Sequence, residues 1–146
     1  HGYYSFQGLK DGAHHLHITS DNFDEPRALS LVAGVETVIS IHGARGQKNV
    51  VYFGGLDRDL GAGLMAELNA TGFLAQPDPS PTRQGRGKSN ICNRGRTGRG
   101  VQLELPQGFR KLLFDKPDYR NCRWTPNRRF HEFVRVIRNV LAHHSR

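Results

Sequence analysis

Three short apolar runs limit what this chain can become: Thr37-Val38-Ile39-Ser40-Ile41, Val50-Val51-Tyr52-Phe53 and Val101-Gln102-Leu103-Glu104-Leu105. The first two are rich in β-branched or aromatic residues, the third alternates apolar and polar, and each is too short for a stable helix and followed closely by glycine or proline, at Gly43, Gly54-Gly55 and Pro106. That pattern predicts strands. The first run, bounded by Gly34 and Gly43, reads as a strand covered on both faces, with His42 at its carboxyl end. In open α/β sheets ligands bind in the crevice beyond the carboxyl ends of the strands, so His42 is placed to face a metal or substrate. The third run alternates strictly. Val101, Leu103 and Leu105 share one face, while Gln102 and Glu104 share the other and look toward whatever fills the crevice.

Helical patterns lie between and after these runs. Asp24 is expected to cap a helix whose first turn holds Glu25 and Pro26 and whose apolar stripe, Ala28, Leu29, Leu31 and Val32, ends at Gly34. Leu60, Leu64, Met65 and Leu68 recur at helical spacing between Asp57 and Gly72. A last helix is expected to be capped by Thr125, with Pro126 at its first position and Phe130, Phe133, Val134, Ile137, Val140 and Leu141 as its buried stripe. Leu16 to Thr19 and Phe73 to Ala75 read as short strands, and Gly108 to Phe114 as a short helix. Strands alternating with helices predict an α/β fold of three layers, an open mixed sheet with flanking helices. A chain of 146 residues is one domain, 1–146, by length.

Residues 76–100 break the alternation. They are rich in Pro, Gly, Arg, Ser and Asn and read as a long basic loop, and loops of that length in a compact domain are usually either functional or disordered. Lys and Arg number 21 against 13 Asp and Glu, a net charge of +8 that favours anionic partners such as nucleic acid or acidic polymers. The segments Arg83-Gln84-Gly85-Arg86-Gly87-Lys88 and Arg94-Gly95-Arg96-Thr97-Gly98-Arg99-Gly100 suit phosphate contacts, yet carry no aromatic residue for base stacking. Cys92 and Cys122 lack a CxxC spacing, which argues against a zinc finger and leaves one disulfide open. No stretch approaches the roughly 18 apolar residues of a membrane span, so no membrane partner is expected.

Taken together, certain motifs resemble the poly-γ-glutamate hydrolase family of phages and bacteria, also known as phage-related replication proteins. They are Tyr4-Ser5-Phe6-Gln7-Gly8, Leu16-His17-Ile18-Thr19-Ser20 with Asn22-Phe23-Asp24-Glu25-Pro26, Ile39-Ser40-Ile41-His42-Gly43, Gly54-Gly55-Leu56-Asp57, Asn90-Ile91-Cys92-Asn93-Arg94-Gly95 and Gly100-Val101-Gln102-Leu103-Glu104-Leu105. The resemblance implies a zinc carboxypeptidase-like fold, one zinc ion, and cleavage of γ-glutamyl amide bonds in an acidic polymer or peptide. It implies that His42 is a zinc ligand, that Glu104 activates the attacking water, and that Asn93 and Arg94 grip a substrate carboxylate. Neutral imidazole suits zinc, a carboxylate beside the metal suits proton transfer, and a guanidinium suits a carboxylate. A monomer of bacterial cytoplasmic or phage origin is expected.

One departure stands out. Family members carry, upstream of the Tyr-Ser-Phe motif, a His-Gly-Gly-Gly-Ile-Glu type sequence supplying two further zinc ligands, and nothing here matches it. The chain therefore reads as lacking the N-terminal portion of the family domain, with His14, His15 and His17 the nearest substitutes. Two other readings follow from the same residues: a nucleic-acid or polyanion-binding protein acting through the Arg-rich loop, and a catalytically inactive remnant of the hydrolase.

Overall fold

The computed structural model of the protein describes residues 2–6, 17–116 and 124–144. Its elements run α1 (Pro26–Ala33), β1 (Ile39–Ala44), β2 (Val50–Gly55), α2 (Arg58–Ala70), β3 (Leu74–Pro77), β4 (Val101–Pro106), α3 (Gln107–Lys111) and α4 (Arg128–His144). Four strands form one mixed sheet in the order β1-β4-β2-β3. β4 lies parallel to β1 and antiparallel to β2, and β2 lies parallel to β3. The α/β class with an open mixed sheet and flanking helices is thus as the sequence predicts. No helix among the described residues is long and apolar enough to cross a membrane.

Alternation along the strands gives the sheet two unlike faces. One carries Val51, Phe53, Val101, Leu103 and Leu105 against Leu60, Leu64 and Leu68 of α2, Phe109 of α3, and Phe133 and Val136 of α4. Phe73, Phe109 and Phe133 meet at its centre with ring centroids 5.3 to 5.9 Å apart, within the range where tilted aromatic pairs add to simple burial. The opposite face is polar and is overlaid by the long loop, which holds two single 3-10 turns, Pro81–Arg83 and Ile91–Asn93.

β1 departs from expectation. Its β-branched run predicts a strand covered on both faces, but β1 is the edge of the sheet formed by the described residues, and Ile41 is 59% exposed. Apolar content alone does not distinguish a central strand from an edge one, because strand order is set by pairing far along the chain. β1 also continues to Ala44, so His42 sits inside the strand rather than beyond its end.

The helix starts differ too. Glu25, not Asp24, caps α1: its carboxylate accepts from the Ala28 N–H at 2.8 Å. Pro26 occupies the first helical position and forces the residue before it to be extended, which makes that residue the cap. Thr125 and Pro126 do not start α4, because Phe114 and Pro126 form a β-bridge and the Thr125 carbonyl accepts from Asp115 N–H, holding this segment extended. Asn127 caps the helix instead, its Oδ1 accepting from the N–H groups of Arg129 and Phe130. Val136, absent from the expected stripe, is buried, whereas Val134 is half-buried. His17 to Thr19 is irregular rather than a strand, and Leu16 lies outside the described residues.

Asp57, expected near the start of α2, is its cap. Asp57 Oδ1 accepts from Leu60 N–H at 3.1 Å in a buried position, while His144 at the end of α4 approaches Asp57 Oδ2 at 3.6 Å. Asp57→Ala is expected to lower unfolding stability by about 1 to 2 kcal/mol, the upper range for a lost cap, since the freed N–H is buried. Urea unfolding of the two proteins measures it, and Asp57→Ser should recover most of the loss.

Candidate active site

β4 places the central side chain. Its alternation turns Leu103 and Leu105 into the core and leaves Gln102 and Glu104 on the polar face, as the sequence predicts. The register then sets Glu104 between His42 of β1 and Tyr52 of β2, with Gln76 of β3 beyond Tyr52, in one row across all four strands. Register partners share a face, so these four side chains project to the same side.

Glu104 is 7% exposed. Burial pushes its carboxyl above the ordinary glutamate value; Asp78 adds to that, while the Arg83 guanidinium and a hydrogen bond from Gln102 oppose it. Gln102 Nε2 donates to Glu104 Oε1 at 3.1 Å and to the Arg83 carbonyl at 2.9 Å. Gln102 Oε1 in turn accepts from Asn90 Nδ2 at 3.1 Å. The carboxylate is therefore aimed by an amide that is itself fixed at both ends, an arrangement suited to a group that must accept a proton in one geometry.

His42 is half-buried, and its Nε2 shares a 3.2 Å hydrogen bond with Ser20 Oγ. Desolvation lowers its pKa, and the neighbouring His17 lowers it further, so the ring is held neutral. A neutral imidazole is the form that binds metal. Zinc sites, however, take three or four protein ligands, and among the described residues no three His, Cys, Asp or Glu side chains converge so as to hold a metal ion. The described residues thus do not build a zinc site by themselves. His14 and His15 lie outside them.

The Asn-Arg-Gly turn at 93–95 sits where β1 and β4 begin, since Gly95 and Gly100 pack against the backbone of Val35, Glu36 and Val38. Asn93 is buried, and all its polar capacity goes to the loop: Nδ2 donates to the carbonyls of Gly85 and Gly87, and Oδ1 accepts from the N–H groups of Leu56 and Gly100. Its side chain is tied into hydrogen bonds within the protein. Arg94 is exposed, and its one side-chain hydrogen bond among the described residues is a long one, 3.4 Å, from Nη1 to the Phe23 carbonyl. Phe23 is fixed by edge contacts with the rings of Tyr4 and Phe6, which ties the first motif of the chain to the arginine. Cys92 is a free thiol, and burial pushes its pKa up to about 12, which makes it unreactive. Cys122 lies outside the described residues.

Sequence reasoning passed over Asp78, Gln102, Asn90 and Tyr52 as functional groups. Their one visible signal is a polar residue in an otherwise apolar strand, at Gln102, and an acidic residue in a basic loop, at Asp78. Arg83, expected to act as one of several free loop cations, is instead paired with Asp78, and Arg96 pairs with Glu36 at 2.8 Å in solvent.

The chain matches the family model for poly-gamma-glutamate hydrolase over residues 1–136. It is 39% identical over 140 residues to the UPF0714 protein YndL of Bacillus subtilis (strain 168), covering 94% of this chain and 56% of YndL. It is 37% identical over 140 residues to the SPbeta prophage-derived UPF0714 protein YoqZ of the same strain, covering 94% of this chain and 51% of YoqZ. The chain thus spans a little over half the length of these relatives. Among solved structures, a bacteriophage poly-gamma-glutamate hydrolase superposes with a TM-score of 0.83 at 29% identity, over 89% of this chain and 63% of that one. YndL in its apo, zinc-free form superposes with a TM-score of 0.87 at 40% identity, over 93% of this chain and 68% of that one. With a family model covering nearly its whole length and the same fold in two solved relatives, the chain belongs to the poly-gamma-glutamate hydrolase family.

Proposed function

We propose that the protein is a zinc-dependent hydrolase that cleaves γ-glutamyl amide bonds of poly-γ-glutamate or a related acidic peptide. The observation that carries this reading is Glu104: a buried carboxylate on an inner strand, aimed by Gln102, in the same row as the half-buried His42. In this reading Glu104 takes the proton from the water that attacks the amide carbonyl and returns it to the leaving amine. His42 serves as one protein ligand to zinc, the remaining ligands coming from residues other than those described. Arg94 receives a substrate carboxylate; its exposed guanidinium and single long hydrogen bond leave donors free for a bidentate contact. Asn93 shapes the turn that presents it.

The test is to incubate the purified protein with high-molecular-weight poly-γ-glutamate, with and without a zinc chelator, and to follow polymer length and new amino termini. Shortening that stops with chelation and returns with added zinc is expected. Polymer of unchanged length would refute the hydrolase reading, and shortening insensitive to chelation would refute zinc dependence alone.

A further inference from the structure

The side of Glu104 away from His42 carries cationic groups that the reading above leaves without a task. Arg83 Nε and Nη2 donate to the two oxygens of Asp78, each at 3.0 Å. The Asp78 side chain is fully buried, and its Oδ1 also accepts from Ser80 N–H at 2.8 Å. The guanidinium is thereby fixed in orientation, while 41% of its side chain remains exposed and Nη1 has no partner among the described residues. It lies 5.8 Å from the centroid of the Tyr52 ring, the row neighbour of Glu104, and close enough to Glu104 to act on its carboxyl. A guanidinium locked on one edge by a buried carboxylate and open on the other is a receptor for a second carboxylate, with its ordering already complete.

Beyond Tyr52 the same face of the sheet continues into a hollow of about 290 Å3, lined by Lys48, Asn49, Val50, Tyr52, Leu74 and Gln76. The register puts Val50 beside Leu74 and Tyr52 beside Gln76, so these four face the side that Glu104 faces. Its volume lies at the small end of ligand sites, suited to a single small residue. Leu74, 57% exposed, and Val50 offer an apolar floor for methylene groups, Asn49 and Gln76 offer amide partners, and Lys48 is exposed with no ion pair among the described residues. From β4 to β3 is two strand spacings, about 10 Å.

We propose that Arg83 and Lys48 form a carboxylate-binding track leading from Glu104 across β2 to β3, which seats successive free carboxylates of an acidic polymer while the hollow holds the carbon chain of one repeat. This rests on the hydrolase reading. A polymer bearing one carboxylate per repeat matches two cations on one side of the sheet, Arg83 over the Tyr52 ring and Lys48 lining the hollow; Arg83 fixes position by geometry and Lys48 supplies a flexible point charge.

The experiment compares Lys48→Glu and Arg83→Lys with wild type, and with Arg138→Glu, an exposed cation on α4 remote from this face that controls for the change in overall charge. Arg83→Lys keeps a cation for buried Asp78, and circular dichroism confirms folding. Binding of fluorescent poly-γ-glutamate and of single-stranded DNA is read by anisotropy, and cleavage kinetics by KM and kcat for long polymer and for short γ-glutamyl oligomers. Lys48→Glu is expected to weaken polymer binding and raise KM about tenfold, the size of one lost charge-assisted contact, with kcat within about twofold and oligomer cleavage little changed. Arg138→Glu should shift binding less than twofold. Equal effects of Lys48→Glu and Arg138→Glu, or equal weakening of polymer and DNA binding, would overturn the track and leave only a diffuse positive field. If wild type cleaves the polymer and Lys48→Glu leaves KM unchanged, the track alone is wrong; if wild type neither binds nor cleaves it, the substrate reading fails first.

Discussion

Glu104→Gln is expected to reduce hydrolysis by about a hundred- to ten-thousand-fold, the range for losing a general base, while the fold is retained. Gln matches Glu in size, and its Oε1 can still accept from Gln102 Nε2, so the aiming hydrogen bond survives. Only the capacity to take a proton is lost. Stability supplies a second reading of the same substitution. Burial raises the Glu104 pKa in the folded protein, so the folded state holds that proton more tightly than the unfolded chain does. Ionisation of Glu104 therefore opposes folding: its contribution is most favourable below the unfolded-state value and is lost as pH rises through the folded one. The amide that replaces the carboxyl in the variant does not titrate. The melting temperature of Glu104→Gln should thus gain on wild type as pH rises from about 4 toward neutrality, and wild-type activity should rise with pH across the same acidic window. A variant that loses ground to wild type over that window would show that Glu104 is stabilised as an anion in the fold, contrary to the burial seen here.

The parts of this fold legible in the sequence are those whose signals are local. α2 announces both ends, with Asp57 as cap and Gly72, at φ +79, just past its last turn. β2 shows in its composition, β4 in its alternation, and that alternation correctly assigns Glu104 to the polar face. What the sequence hides is long-range. Nothing in Val38 to Ile41 tells an edge strand from a central one, and nothing in 101–105 says that Glu104 would lie beside both His42 and Tyr52, since register is decided by pairing between segments far apart in the chain. The helix caps failed for a related reason. Asp24 and Thr125 are both good capping residues, but Pro26 fixes the start of α1 one residue later, and the bridge at Pro126 holds Thr125 in extended chain. The loop is legible as a loop and as basic, but not as a structure in which buried Asp78 fixes the orientation of Arg83 and Asn93 ties residues 85 and 87 to Leu56 and Gly100.

Asn93 shows how the structure changes the expectation drawn from a motif. Beside Arg94 it reads as half of a carboxylate grip, yet its hydrogen bonds join residues 85 and 87 of the loop to Leu56, ahead of α2, and to Gly100, ahead of β4. Asn93→Ala would leave the Gly100 N–H buried without its partner and release two loop carbonyls, and each buried polar group left unmade costs about 1 to 3 kcal/mol. A loss of about 3 to 4 kcal/mol in unfolding free energy is expected, which for a domain of this size lowers the melting temperature on the order of 10 °C. Asn93→Asp should not rescue it, because a carboxylate still accepts from Leu56 and Gly100 but turns its other oxygen toward the carbonyls of Gly85 and Gly87, where like partial charges repel. Activity per folded molecule separates the two roles. If Asn93 shapes the turn, oligomer KM at a temperature where the variant stays folded should change far less than it does for Arg94→Ala, since removing the guanidinium deletes the ligand contact itself. A variant with an unchanged melting temperature and a KM raised as much as in Arg94→Ala would place Asn93 on the substrate after all.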